Sequence, residues 1–322
     1  MKTLFTAYLL VSSFGLWAQK PRIVKTDSSR IETTWYTAGK QVREIITVTD
    51  RVHYRFYRNH NRTATTTATY TKAWRPIGLT KEYDERGHLL YVIDHDHGTW
   101  RAVQPESYPF YDLQSAMKRK ADTYIAAMYG RSFLAKNAVW NVQESYLYNK
   151  EESGDWTKPL ASKPQQFLFR YDVKLDREHV YPQLIEFKLD AQGNFIPNEF
   201  EEVYGFEQRY PVPTNGFELA YSKAVETAKK KSGLRNQSLA GHMKWESLKK
   251  PSLYNGQFRF YVTVKTGSNR ELHPKGRSRV TEYFDVYSFS PWTGAFLGRK
   301  KMEASREWEE NSGSSYGLRP SK

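Results

Sequence analysis

Phe284-Asp285-Val286-Tyr287-Ser288-Phe289-Ser290-Pro291-Trp292-Thr293-Gly294-Ala295-Phe296-Leu297-Gly298 decides how this chain is read. Val280–Phe289 is rich in β-branched and aromatic residues and predicts a strand. Ser290–Gly294 brings Pro and Gly together in a tight turn, and Ala295-Phe296-Leu297 returns along the strand. Toward the N-terminus, Phe258–Val264 alternates as a second strand. Gly267–Ser278 between them is polar, with Gly, Asn, Pro and three cations, and predicts a long exposed connection. Upstream, Phe217, Tyr221, Ala224, Val225 and Ala228 recur at helical spacing. Asn215 and Glu218 match a capping box at the start of that helix. Lys229, Lys230 and Lys231 suit its negative end, and Gly233 is the C-cap candidate.

Helix, strands and a closing Ser290-Pro291-Trp292-Thr293-Gly294 hairpin resemble the PepSY domain, a small secreted module of cystatin-like α+β layout. That family usually carries Asp before the Pro, where this chain has Ser290. The resemblance covers about a quarter of the chain. It implies inhibition or chaperoning of peptidases and binding at the cell envelope, and it brings no catalytic residue. A diluted copy of the same plan precedes it. Leu113, Met117, Ala121, Tyr124, Ile125 and Met128 mark a helical face, with Gly130 in the place of Gly233. Phe167–Val173 then corresponds to Phe258–Val264, and Leu184–Phe195 to the closing hairpin. Asn149–Pro164 reads as a loop.

Residues 19–105 read as β-hairpins. Trp35–Glu44 and Tyr83–Tyr91 each run an aromatic strand end into a Gly-centred turn and leave as an alternating strand. Both resemble the MORN-variant repeat of bacterial antitoxin-like proteins. Val52–Tyr57 and Thr63–Tyr70 are further strand candidates. In residues 1–18, Lys2 precedes an apolar run from Leu4 to Trp17, and Ala18-Gln19 is a cleavage point. This segment resembles secretory signals of Bacteroidetes-type bacteria and places the protein in the periplasm or on the outer surface. The chain has no cysteine, which excludes disulfides, thiolate metal sites and a lipoprotein anchor. The expected fold class is α+β. A β-rich hairpin region, 19–105, leads into two small helix-plus-antiparallel-sheet modules, 106–205 and 206–302, and a mobile tail, 303–322.

The formal charge is +14 and is unevenly spread. Residues 216–302 carry 17 Lys/Arg against 6 Asp/Glu, while 110–205 carry 12 against 14. A basic surface of this kind steers acidic partners. Arg270, Lys275, Arg277 and Arg279 form the cluster expected to touch one. An acidic protein is the expected partner, an anionic envelope polymer or lipid the alternative, and export disfavours nucleic acid. Asp94-His95-Asp96-His97 is the only dense set of metal-ligand types. On a strand its aspartates share one face and its histidines the other, with His53, His60 or His88 to complete a site. A polar hairpin end is the competing reading of that stretch. Gly313-Ser314-Ser315-Tyr316-Gly317 lacks the helix, acid and histidine that a nucleophile elbow needs downstream. No phosphate-cradling or dinucleotide motif is present, so neither an enzyme nor a cofactor is expected. A hydrolase seeded at 94–97 is the remaining alternative.

Overall fold

The structure is a computed structural model. It describes residues 21–26, 28–36, 41–48, 51–58, 63–149, 153–196, 215–233, 239–246, 257–272, 278–309 and 312–321. The expected signal segment lies outside these residues. The described chain is β-rich, with few helices and three antiparallel sheets. It divides into two compact units, residues 1–111 with 156–161 and residues 112–155 with 162–322.

The first unit is an eight-stranded meander in sequence order. Its strands are β1 (Arg22–Lys25), β2 (Ser29–Tyr36), β3 (Gln41–Val48), β4 (Arg51–Arg58), β5 (Ala64–Thr71), β6 (Pro76–Tyr83), β7 (Leu89–Asp94) and β8 (Thr99–Ala102). The four strands expected around the two Gly-centred turns and the two between them are all present. The β6–β7 turn closes through hydrogen bonds from Asp84 N to His88 O (2.9 Å) and from Gly87 N to Asp84 O (3.1 Å). Gly87 has φ 87°, the left-handed region that the turn demands. Val52, Ala68, Thr80, Ile93 and Ala102 are buried on one face of the sheet. The segment 149–164, expected to be a plain loop, contributes the buried Trp156 and Leu160 to this unit. The Tyr108 hydroxyl donates to Thr157 O there (3.3 Å).

The second unit begins with α1 (Tyr111–Tyr129) and α2 (Arg131–Lys136). Six strands follow: β9 (Ala138–Trp140), β10 (Tyr146–Tyr148), β11 (Ser153–Asp155), β12 (Gln166–Lys174), β13 (Val180–Asp190) and β14 (Phe195–Ile196). Phe167, Phe169, Tyr171 and Val173 alternate inward on β12 and face Leu189, Phe187 and Ile185 of β13. α1 lies on that face through Tyr124 against Phe187 and through the Tyr171 hydroxyl donating to Asp122 Oδ1 (2.9 Å). Gly130 is not the counterpart of Gly233. At φ 87°, ψ 153° it joins α1 to a second helix, whereas Gly233 closes its helix in the left-handed conformation at φ 70°, ψ 4°.

The last sheet follows α3 (Tyr221–Ser232) and runs in order through β15 (Leu239–Glu246), β16 (Gln257–Leu272), β17 (Ser278–Phe289), β18 (Phe296–Glu309) and β19 (Ser312–Pro320). α3 starts six residues after Asn215, so the expected capping box does not form. Its cap residue is Ala220, and no side chain caps it. The physical reason is competition for the backbone donors. Phe217 N donates to Asn137 Oδ1 (2.9 Å). Glu218 N and Leu219 N both donate to Pro291 O (3.0 and 3.1 Å). The 290–294 turn forms as expected, with Ser290 N bonded to Ala295 O (2.9 Å) and Thr293 N donating to Ser290 Oγ (3.4 Å).

Two expectations fail at the C-terminal end. Gly267–Leu272 is not a connection but the end of β16, paired with β17 from Tyr283 back to Ser278. The described residues of 303–322 are strand, not a mobile tail. Residues 303–309 complete β18 and 312–320 form β19, with Met302 opposite Pro320 and Arg306 opposite Ser315. Strand alternation is weak there because the distal ribbon has little to bury, so the ladder rather than a core holds it.

Both sheets of this unit share one core. Tyr129 stacks on Trp292 (6.0 Å, 18°) and Phe133 on Phe258 (6.0 Å, 21°). Phe217 meets Trp292 edge-on (4.7 Å). Phe258, Phe260, Val262 and Val264 are fully buried on β16. The His179 ring lies on Tyr221 at 3.5 Å.

Candidate functional site

Asp94-His95-Asp96-His97 does not alternate along a strand. β7 ends at Asp94, and residues 95–98 turn. Asp94 Oδ1 accepts from Asp96 N (3.0 Å) and His97 N (3.2 Å), and Asp94 Oδ2 is 2.8 Å from His97 Nδ1. Partial burial pushes the Asp94 carboxyl up, but the His97 imidazole and the two amides outweigh it and hold it below the usual range. Asp96 Oδ1 accepts from Gly78 N (3.1 Å), and His95 Nε2 meets Thr80 Oγ1 (2.8 Å). Burial drives His95 down to about 4. Each side chain of the stretch is thus spent on closing a hairpin. His53 instead meets Thr69 Oγ1 (3.3 Å), and His88 meets Asp84 (3.0 Å). His60 lies outside the described residues. Among the described residues no group of three or more His, Asp or Glu is placed to hold a metal ion.

The basic cluster is divided by the pleat. Arg270 pairs with Val280 and Arg279 with Glu271, so the two arginines point to opposite faces of the ribbon. Arg279 Nη1 is engaged by Glu307 at 3.3 Å. Lys275 and Arg277 lie outside the described residues. Val280 in turn pairs with Arg306, a residue that sequence reasoning assigned to the tail. Arg270, Leu272 and Arg306 therefore surround Val280 on one face. Arg270 and Arg306 are exposed, and Leu272 is 76% exposed. Neither arginine has an ion-pair partner among the described residues, because the nearby Glu282 is taken by Lys265 (2.6 Å). The signal that locates Arg306 is its register opposite Val280, which no local pattern carries.

A second cationic feature lies at the end of α3. Lys231 Nζ stands 4.3 Å from the centre of the Phe296 ring. Phe296 and its neighbour Leu297 are 37% and 43% exposed.

The meander carries a third surface that the sequence reading missed. Cross-strand pairing places Thr34, Arg43, Phe56, Thr66, Glu82, Tyr91 and Ala102 in one row across β2–β8. Glu32, Ile45, Tyr54 and Ala68 form the next row. Burial pushes the Tyr54 hydroxyl up to about 12, against the opposing pull of Arg43. Burial also raises the Glu82 carboxyl, against the hydrogen bond from Thr66. Trp100 at the far end is covered by Tyr108 (5.5 Å) and Tyr111 (5.2 Å).

No family model, curated protein or solved structure matches this chain. Among the described residues no helix is long and apolar enough to cross a membrane.

Proposed function

We propose that this chain is an exported, non-enzymatic binding protein that holds an acidic protein partner, in the manner of a peptidase inhibitor or a toxin-immunity protein. The supporting observation is the ribbon face of Arg270, Leu272, Val280 and Arg306, where two exposed arginines, without ion-pair partners among the described residues, flank Val280, and the protruding Leu272 stands beside Arg270. Protein interfaces concentrate their energy in such groups, an apolar anchor with arginines beside it. The PepSY-like reading draws support from α1 and α3 each lying over an antiparallel sheet. The MORN-like reading draws support from the sequence-ordered meander.

The test is capture from a native envelope extract with residues 19–322 as bait, at low and moderate salt. One stoichiometric acidic protein should be retained by the parent chain. It should be lost with R270S/R306S and kept with R279S, whose charge is already paired. Retention of that protein by R270S/R306S would sink the assignment.

A second reading rests on Lys231 over Phe296, with Leu297 beside them. An exposed apolar pair next to a lysine suits an anionic lipid surface. Retention on lipid alone, abolished by moderate salt and by F296S/L297S, would favour it.

A further inference from the structure

We infer that the open half of the meander's apolar face is a binding site for an anionic amphiphile, with its head on Arg43 and its apolar body running over Tyr54, Phe56 and Tyr70 toward Trp74. Arg43 carries the argument. It sits mid-sheet, between Thr34 and Phe56 in register, on the face that buries Val52 and Ala68. Its Nε is closed off from solvent, and no acceptor reaches it. Its guanidinium lies 5.4 Å from the centre of the Tyr36 ring, and it has no ion pair among the described residues. Glu82 is on the same row but three strands away, roughly 14 Å at the usual strand spacing. It accepts from Thr66 instead of pairing with Arg43. The nearer Glu32, one row along on β2, is held by Arg30 at 3.2 Å. A cation held on a largely apolar sheet face without an ion pair of its own is complementary to an anion supplied from outside.

The aromatic floor gives the shape of the rest of the ligand. Tyr36 and Phe56 meet at 6.3 Å, Tyr54 and Tyr70 at 6.4 Å, and Tyr70 and Trp74 at 5.6 Å. All of these rings but Trp74 are half-buried. Trp74 is 49% exposed. It also holds φ 61°, a left-handed conformation that costs energy for a bulky residue. The turn keeps it there through Trp74 N to Thr71 O (2.9 Å) and Arg75 N to Thr71 Oγ1 (3.2 Å). From Arg43 to Tyr70 is two strands across and two rows along, roughly 16 Å, the reach of a medium-length acyl chain.

The head group is a carboxylate or a phosphate monoester, since Arg43 recognises either, and the experiment separates them. Calorimetric titration of the full chain uses dodecanoate, dodecyl phosphate and dodecanol. At least one anion should bind saturably, about tenfold or more tighter than dodecanol. The tighter anion identifies the head group. R43Q should lose about tenfold for that anion and leave dodecanol unchanged. W74G fits the observed φ without strain and serves as the variant that keeps its fold; it should weaken the anion several-fold through lost apolar contact. R270S/R306S should bind as the parent does, so the two proposals fail separately. Saturable binding of neither anion, equal binding of dodecanol, or parental affinity in R43Q would each overturn the inference.

Discussion

Trp292 is predicted to hold the whole second unit together, although it stands in a turn. Its ring is 4% exposed and meets Phe217 at 4.7 Å, Phe133 at 5.4 Å, Tyr129 at 6.0 Å and Phe258 at 6.5 Å. Truncation to alanine removes on the order of 200 Å² of buried aromatic surface, about 5 kcal/mol as an upper bound. Partial collapse of the neighbours brings the expected loss to about 4 kcal/mol. For a unit of this size that lowers the melting temperature by roughly 10 °C. W292F gives the internal comparison. The Trp292 Nε1 is buried without a partner, so phenylalanine keeps most of the ring contacts and removes an unsatisfied donor. Its cost should be about 1 kcal/mol or less. Calorimetry and near-UV dichroism measure the melting, and hydrogen exchange reports α1 and α3 separately. Both helices should lose protection together in W292A. Loss confined to α3, with α1 unmoved, would refute the shared core and restore two independent modules. A W292F cost equal to that of W292A would refute the unsatisfied-donor argument.

Two further outcomes follow from buried titratable groups. His95 is held near 4 in the fold against 6.5 unfolded, so the unfolded chain binds the proton first. The resulting stability is complete above about 6.5 and is lost as pH falls toward 4, about 3 kcal/mol in all. Urea midpoints at pH 7 and pH 4.5 should converge in H95Q relative to the parent; an unchanged pH slope would contradict it. Lys118, half-buried on α1, is held by Asp122 (2.6 Å to Oδ1), which also accepts from Tyr171. D122A should cost about 2 kcal/mol in urea unfolding, and K118M/D122A should recover part of it by removing the stranded charge. No recovery in the double variant would show that the tyrosine contact alone matters.

The strands were legible because one buried face imposes a period of two. Phe258–Val264 alternates in burial, and Phe169–Val173 does the same beyond the buried run Phe167-Leu168-Phe169. The end of α3 was legible for a local reason, lysines followed by a glycine that adopts φ 70°. Its start was not, because Asn137 and Pro291, remote in sequence, capture the donors that a capping box would have used. α2 escaped notice because Phe133 is buried against aromatic rings of the last sheet, not within a helical stripe of its own. The basic cluster was legible as composition but not as a surface. The pleat sends Arg270 and Arg279 apart and brings Arg306 in from another strand. Arg43 was invisible for the same reason: nothing local distinguishes it from any other strand cation until seven strands are laid side by side.

The meander also has a bearing on how the chain comes to be folded. Every ladder in it joins sequence neighbours, so β1–β8 have low contact order and can zip up pair by pair as the chain emerges N-terminus first. The unit is nonetheless unfinished at that point, because the buried Trp156 and Leu160 arrive only after α1, α2 and three further strands have been made. A fragment ending at Tyr111 would therefore carry all eight strands and still lack two of the buried side chains of its unit. In the living cell that interval leaves a paired sheet in an incomplete unit, open to chaperones.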